Sequence, residues 1–157
     1  MNETGEQHAA FVDDWLERSA RDLMPEALLR LFESALHALW DRTKTTLGEV
    51  TLIAIAERVL HEVCEKFPQF SCLKIKPAQG FQCRALAEHL DTMTSAQLRA
   101  AMRCVLVELL TVLGRLTAEI LTPELHAELS RVVLPNAGNA MDTHAAHRSR
   151  RRRKEGI

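Results

Sequence analysis

Cys104-Val-Leu-Val-Glu-Leu-Leu-Thr-Val-Leu-Gly-Arg-Leu116 carries nine apolar side chains in thirteen positions. At 3.6 residues per turn its polar members Glu108, Thr111 and Arg115 fall on one narrow stripe, and the rest of the circumference is hydrophobic. A helix apolar over most of its surface must be covered by other elements. It is therefore the centre of a domain or one half of a subunit interface. The helical pattern extends from Ser95 to Leu121, about 39 Å at 1.5 Å per residue. Ahead of it, Thr94-Ser-Ala-Gln97 fits a capping box, in which the threonine hydroxyl and the glutamine side chain each satisfy one backbone N–H. Behind it, Thr122-Pro123-Glu124 ends one helix and opens another, with Leu125, Leu129 and Val132 on its inner side.

Working toward the N-terminus, the pattern changes period. Leu73 and Ile75 alternate with Lys74 and Lys76, and after Pro77-Ala-Gln-Gly80 the residues Phe81, Cys83 and Ala85 alternate with Gln82 and Arg84. Two period-two runs joined by four residues containing Pro and Gly predict a β-hairpin near residues 71–85. The competing reading is an irregular loop followed by a helix from Phe81 to Leu90. A lone hairpin is marginal in water, so its apolar face must pack on a helix or pair with another sheet. Further upstream the helical period returns. One helix is predicted from Gln7 to Leu23, carrying Phe11, Trp15 and Leu16 on one side. A second begins at Pro25, where the missing N–H costs nothing, and ends at Gly48. A third runs from Glu49 to Lys66, with a start weakened by the β-branched Val50, Thr51, Ile53 and Ile55.

Composition agrees with that reading. The chain has 157 residues, 46% of them hydrophobic, with two Trp, five Phe, no Tyr, six Gly and five Pro. Leu, Ala and Glu, all helix formers, dominate. The expectation is a mainly α fold: a five- to six-helix bundle with one long central helix and a small hairpin. No repeat of 20–50 residues suggests a solenoid. The apolar stretch at 104–116 is shorter than the roughly 20 residues a membrane span needs, and Glu108 and Arg115 interrupt it. No secretory leader is visible at Met1–His8, so a cytoplasmic protein is expected.

The net charge of −1 conceals an asymmetry. Residues 134–157 hold Arg148, Arg150, Arg151, Arg152, Arg153 and Lys154 against Asp142 and Glu155, while residues 1–133 hold 14 basic and 19 acidic side chains. Pro135-Asn-Ala-Gly-Asn stops the last helix, and nothing after it could bury a core. The chain thus divides into a helical domain at 1–133 and a disordered basic tail at 134–157. Six cations within seven residues would attract polyanions such as nucleic acid in a salt-sensitive, sequence-independent way, and no aromatics are interleaved to stack on bases.

Few residues suggest chemistry. Cys64, Cys72, Cys83 and Cys104 sit inside apolar patterns, where cysteine behaves as a small hydrophobe. His61 and Cys64 are three apart on a helix, a spacing that suits one metal ion, but there is no CxxC or HxxxH pair, and no metal or other cofactor is expected. His37 and His61 could serve phosphotransfer, yet both have the neighbours of ordinary boundary residues. Glu108 is the carboxylate expected to be most buried, within a polar seam satisfied by Arg103, Arg115 or a symmetry-related helix. Gly114 and Ala118 on the same side would let another helix approach. No nucleophile, triad or glycine-rich phosphate loop accompanies them, and no catalytic residue is assigned. The sequence is read as a non-enzymatic regulatory or adaptor module acting through protein–protein contacts. It is expected to form a homodimer through the 95–121 helix at Val105, Glu108, Leu109, Val112, Leu113, Arg115 and Leu116, and to engage a further protein partner. The alternative is polyanion binding through the tail.

Overall fold

The computed structural model describes residues 3–133, with side chains from residue 5 onward. Six α-helices occupy the described residues: α1 (Glu3–Ser19), α2 (Pro25–Leu47), α3 (Glu49–Lys66), the single turn α4 (Arg84–Ala87), α5 (Ser95–Leu116) and α6 (Thr122–Arg131). Short 3₁₀ turns at Pro68–Cys72 and Leu90–Thr92 punctuate the middle. The hairpin pairs β1 (Lys74–Lys76) with β2 (Gly80–Gln82) in antiparallel register, Ile75 opposite Phe81. This is the mainly α bundle with a small hairpin that the periodicity predicts. The basic tail lies outside the described residues.

Local chemistry fixes several boundaries. Pro25 opens α2 and Gly48 closes it, with φ +84° and its N–H donating to the Lys44 carbonyl at 3.0 Å. The same glycine is the N-terminal flank of α3, which forms despite its β-branched first turn because Leu52, Ile55, Ala56, Val59, Leu60 and Val63 are buried. At α5 both halves of the capping box are made. The Gln97 N–H donates to Thr94 Oγ1 at 3.0 Å and the Thr94 N–H to Gln97 Oε1 at 2.9 Å. The first helix ends at Ser19, four residues earlier than its pattern predicts, because the chain turns through Asp22 at φ +58° before Pro25.

α5 is the axis of the bundle. It packs against α1, α2, α3 and α6, and no residue from Ala101 to Gly114 is exposed. Leu98, Ala101, Met102, Val105, Leu106, Leu110 and Leu113 are wholly inaccessible. Around them α1 contributes Val12 and Trp15, α2 contributes Leu31, Phe32 and Leu39, and α6 contributes Leu125 and Leu129. The hairpin lies across α2 and α3. Gly80, at φ +77°, sits so close to the Trp40 indole that a Cβ would come within 2.7 Å of its ring. Phe81 meets the same indole edge-on at 6.1 Å. The hairpin is therefore stabilised by packing on a helix, as an isolated two-stranded ribbon must be.

The end of α5 departs from the sequence expectation. The helix stops at Leu116, not Leu121. Ala118 and Glu119 adopt left-handed φ of +51° and +64°. The Ala118 N–H donates to the Arg115 carbonyl and the Glu119 N–H to the Gly114 carbonyl, at 3.2 and 2.7 Å. These are the paired bonds of a Schellman ending, which glycine usually makes. Alanine and glutamate occupy those positions here, so the stop carries no glycine signal.

Because Leu109 is only 2% exposed and faces the other helices, Leu109→Asp buries an unpaired charge. The expected cost is several kcal/mol, on the order of a domain's whole stability. The far-ultraviolet circular dichroism of that variant should show lost or sharply destabilised helix. A melting curve matching the parent chain would contradict the central position of α5.

Candidate functional site

The corner where α1, α6 and the α5–α6 turn meet gathers the chain's most unusual polar group. His8 lies one turn before Phe11 and Val12 and two turns before Trp15, on the inward face of α1, and it is fully buried. His126 follows Leu125 and precedes Leu129 on the inner side of α6. Packing the two helices brings His8 Nδ1 to 2.9 Å from His126 Nε2. The His126 ring also stacks on Phe11, with centroids 4.0 Å apart and planes 15° from parallel.

Glu119 completes the cluster. Its carboxylate accepts the Thr122 hydroxyl and lies 3.4 Å from His8 Nε2. That approach is not an aligned hydrogen bond, and among the described residues His8 Nε2 has no other partner. The carboxylate occupies the space over Gly114, where a Cβ would stand 2.6 Å from Glu119 Oε1. Glu119 of the same chain thus fills the space that the absent side chain of Gly114 leaves. The left-handed Ala118 and Glu119 are the backbone condition for this placement. Such conformations cost non-glycine residues roughly 1–2 kcal/mol each.

Electrostatics follow from the geometry. Burial pushes the His8 imidazole below its ordinary value, and Glu119 opposes the shift. Burial likewise lowers His126, His8 adds to the effect, and Glu119 opposes it. One hydrogen fits between the two facing nitrogens. The nearby carboxylate favours the tautomer with hydrogen on His8 Nε2, which makes His8 Nδ1 the acceptor of the His126 Nε2–H bond. The two facing nitrogens are joined to each other by one hydrogen rather than turned to a common centre, and among the described residues no three His, Cys, Asp or Glu converge as metal ligands.

The residues singled out from sequence fall elsewhere. His37 and His61 are exposed, and His61 lies 3.7 Å from Glu65 of its own helix. Cys64, Cys72 and Cys104 are half-buried and Cys83 is buried, all as free thiols. Desolvation raises each of them, Cys83 to about 12. Glu108 is half-buried and makes no ion pair among the described residues. The expected partner Arg103 instead grips Asp13 of α1 through two nitrogens, while Arg99 reaches Glu17 at 3.3 Å and the Ala20 carbonyl at 3.4 Å. These pairs border an open groove of about 340 Å³ between α1 and α5, lined also by Ala96 and Ala100.

Of the seven residues expected at a dimer interface, Val105, Leu109 and Leu113 are consumed by the chain's own core, at 0%, 2% and 0% exposure. Glu108 and Val112 are half-buried, and Arg115 and Leu116 are exposed. Arg148, Arg150, Arg151, Arg152, Arg153 and Lys154 lie outside the described residues. No helix of the described chain is long and apolar enough to cross a membrane. No protein-family model, curated protein or solved structure matches this chain.

His8 and His126 were not singled out in the sequence because they stand 118 positions apart. The available signal was that each interrupts the apolar stripe of its helix, which leaves a buried imidazole in need of a partner. The strain argument can be tested at Ala118. Ala118→Gly removes the left-handed penalty while keeping the Schellman bonds, so it should stabilise the domain by about 1 kcal/mol in urea unfolding. A loss of stability would show that the turn is not strained at that residue.

Proposed function

We propose that the chain is a non-enzymatic regulatory or adaptor module that acts through protein–protein contacts and self-associates along the outer edge of α5. The observation that carries this reading is the partial cover of that edge. Cys104, Val107, Glu108, Thr111 and Val112 form a stripe that the neighbouring helices leave half-buried. It runs on to Leu116 and the turn residue Ile120, which are 58% and 76% exposed. A stripe of mixed apolar and polar groups ending in bare Leu and Ile suits a modest helix-to-helix contact, with Glu108 and Arg115 able to pair across a twofold axis. The inward residues Val105, Leu109 and Leu113 would support that surface rather than touch a partner. A second reading, polyanion binding, is favoured by the six cations of residues 148–154. It requires phosphocellulose retention that falls steeply with salt and is lost on deleting residues 147–157.

The test is native mass spectrometry of the full chain and of the Leu116→Asp/Ile120→Asp variant. Both substituted positions are exposed, so the fold should tolerate them, as circular dichroism can verify. The parent chain is expected at twice its 17.7 kDa mass, and the variant at the monomer mass. A monomeric parent, or a variant that stays dimeric, overturns self-association at this edge.

A further inference from the structure

We infer that the His8–His126 contact is an acid-released clasp, which lets α1 lift from the α5–α6 corner before the rest of the domain opens. The inference is independent of self-association. It stands on three geometric facts: a fully buried His8, a 2.9 Å gap between two imidazole nitrogens, and a carboxylate 3.4 Å from the far nitrogen of the same ring.

Proton counting gives the device its direction. In the closed, neutral state His126 Nε2–H donates to His8 Nδ1, and His8 Nε2–H faces Glu119. The first added proton goes to His126 Nδ1, the one ring nitrogen of the pair with a free lone pair. The resulting imidazolium keeps its bond to His8, and the face of Phe11 and the Glu119 charge both favour it. A second proton must go to His8 Nδ1, and two N–H groups would then point at each other across 2.9 Å. The closed clasp therefore holds one proton at most. In the open state both rings enter water and both can be protonated near their ordinary pKa of 6.5.

Among the described residues, no charged group besides Glu119 acts on the pair. Glu119 is the acid that faces the pair from the α5–α6 turn. On the side toward α5, Asp13 is held by Arg103 and Glu17 by Arg99. On the α2 side, Arg42 is paired with Glu124 of α6. The sign follows: both histidines are lowered in the folded state, so their contribution is fully present above pH 6.5. It declines as pH falls from there toward the folded-state values. His37, His61 and His89 are exposed in the closed state and gain little solvent on opening. α1 is also held by the buried Val12, Trp15 and Leu16, so release of the clasp raises the opening constant of this helix rather than detaching it outright, while the cap and core of α5 do not depend on His8.

The experiment is amide hydrogen exchange of the full chain at pH 7.0 and pH 5.5, corrected for intrinsic rates, in the regime that reports the opening equilibrium. Between these values the α1 opening constant should rise about 8-fold if the closed pair keeps one proton, and about 70-fold if it keeps none. Amides of α3 should change less than twofold. In the His8→Gln/His126→Gln variant, whose side chains can hydrogen bond but not titrate, the α1 dependence should fall below about twofold. Each chain is compared with itself across pH, so a general loss of stability in the variant does not confuse the readout. A rise below 8-fold in the parent, an equal rise in α1 and α3, or an undiminished dependence in the variant overturns the clasp.

Discussion

The structure depends on the burial of α5. A 22-residue helix that is apolar over most of its circumference cannot be hidden by one neighbour, and the remaining elements are arranged to meet that demand. α1, α2, α3 and α6 pack against it, and the hairpin fills the outer side of α2 and α3. At about 25 cal/mol per Å² of apolar surface, each fully buried leucine contributes roughly 2 kcal/mol. The many inaccessible leucines of α5 and its neighbours therefore outweigh any polar contact in the molecule.

The polar contacts set register instead. Trp15 donates its indole N–H to the Val132 carbonyl at 3.0 Å, which fixes α1 against the chain beyond α6. Arg103 and Arg99 align α1 along α5. His8, His126 and Glu119 close the same corner from inside. The last group differs from the others in kind, because it joins a fully buried imidazole to a half-buried one, both lowered by desolvation, and because the turn that carries Glu119 is left-handed at two non-glycine residues. A buried imidazole pair is a costly way to join two helices when a leucine pair would suffice. A structure that keeps it, and bends a helix ending to place a carboxylate beside it, has a corner sensitive to protons.

Where the sequence was legible, the governing chemistry was local. Thr94 with Gln97, Pro25 and Gly48 act through their own backbone neighbours, so each marked a boundary that the structure reproduces. The alternation from Leu73 to Ala85 revealed the hairpin, although only three residues on each side pair. The missed features are non-local or break a propensity. Ala118 and Glu119 end α5 where a glycine would have announced the stop. The partner of Arg103 is Asp13, 90 positions away, not the nearby Glu108. The histidine pair could be anticipated only as two interruptions of apolar stripes, since nothing in either stripe names the other.

Whether α5 is the centre of a single folded domain or half of an interface is the question its sequence poses first. Hydrogen exchange at several protein concentrations answers it most directly. If the chain's own helices cover α5, amides from Ala101 to Gly114 should be the slowest to exchange and should remain the slowest on dilution to the monomer. Loss of that protection in the monomer, or α5 amides that exchange as fast as those of α6, would contradict the account and assign the cover of this helix to a second molecule.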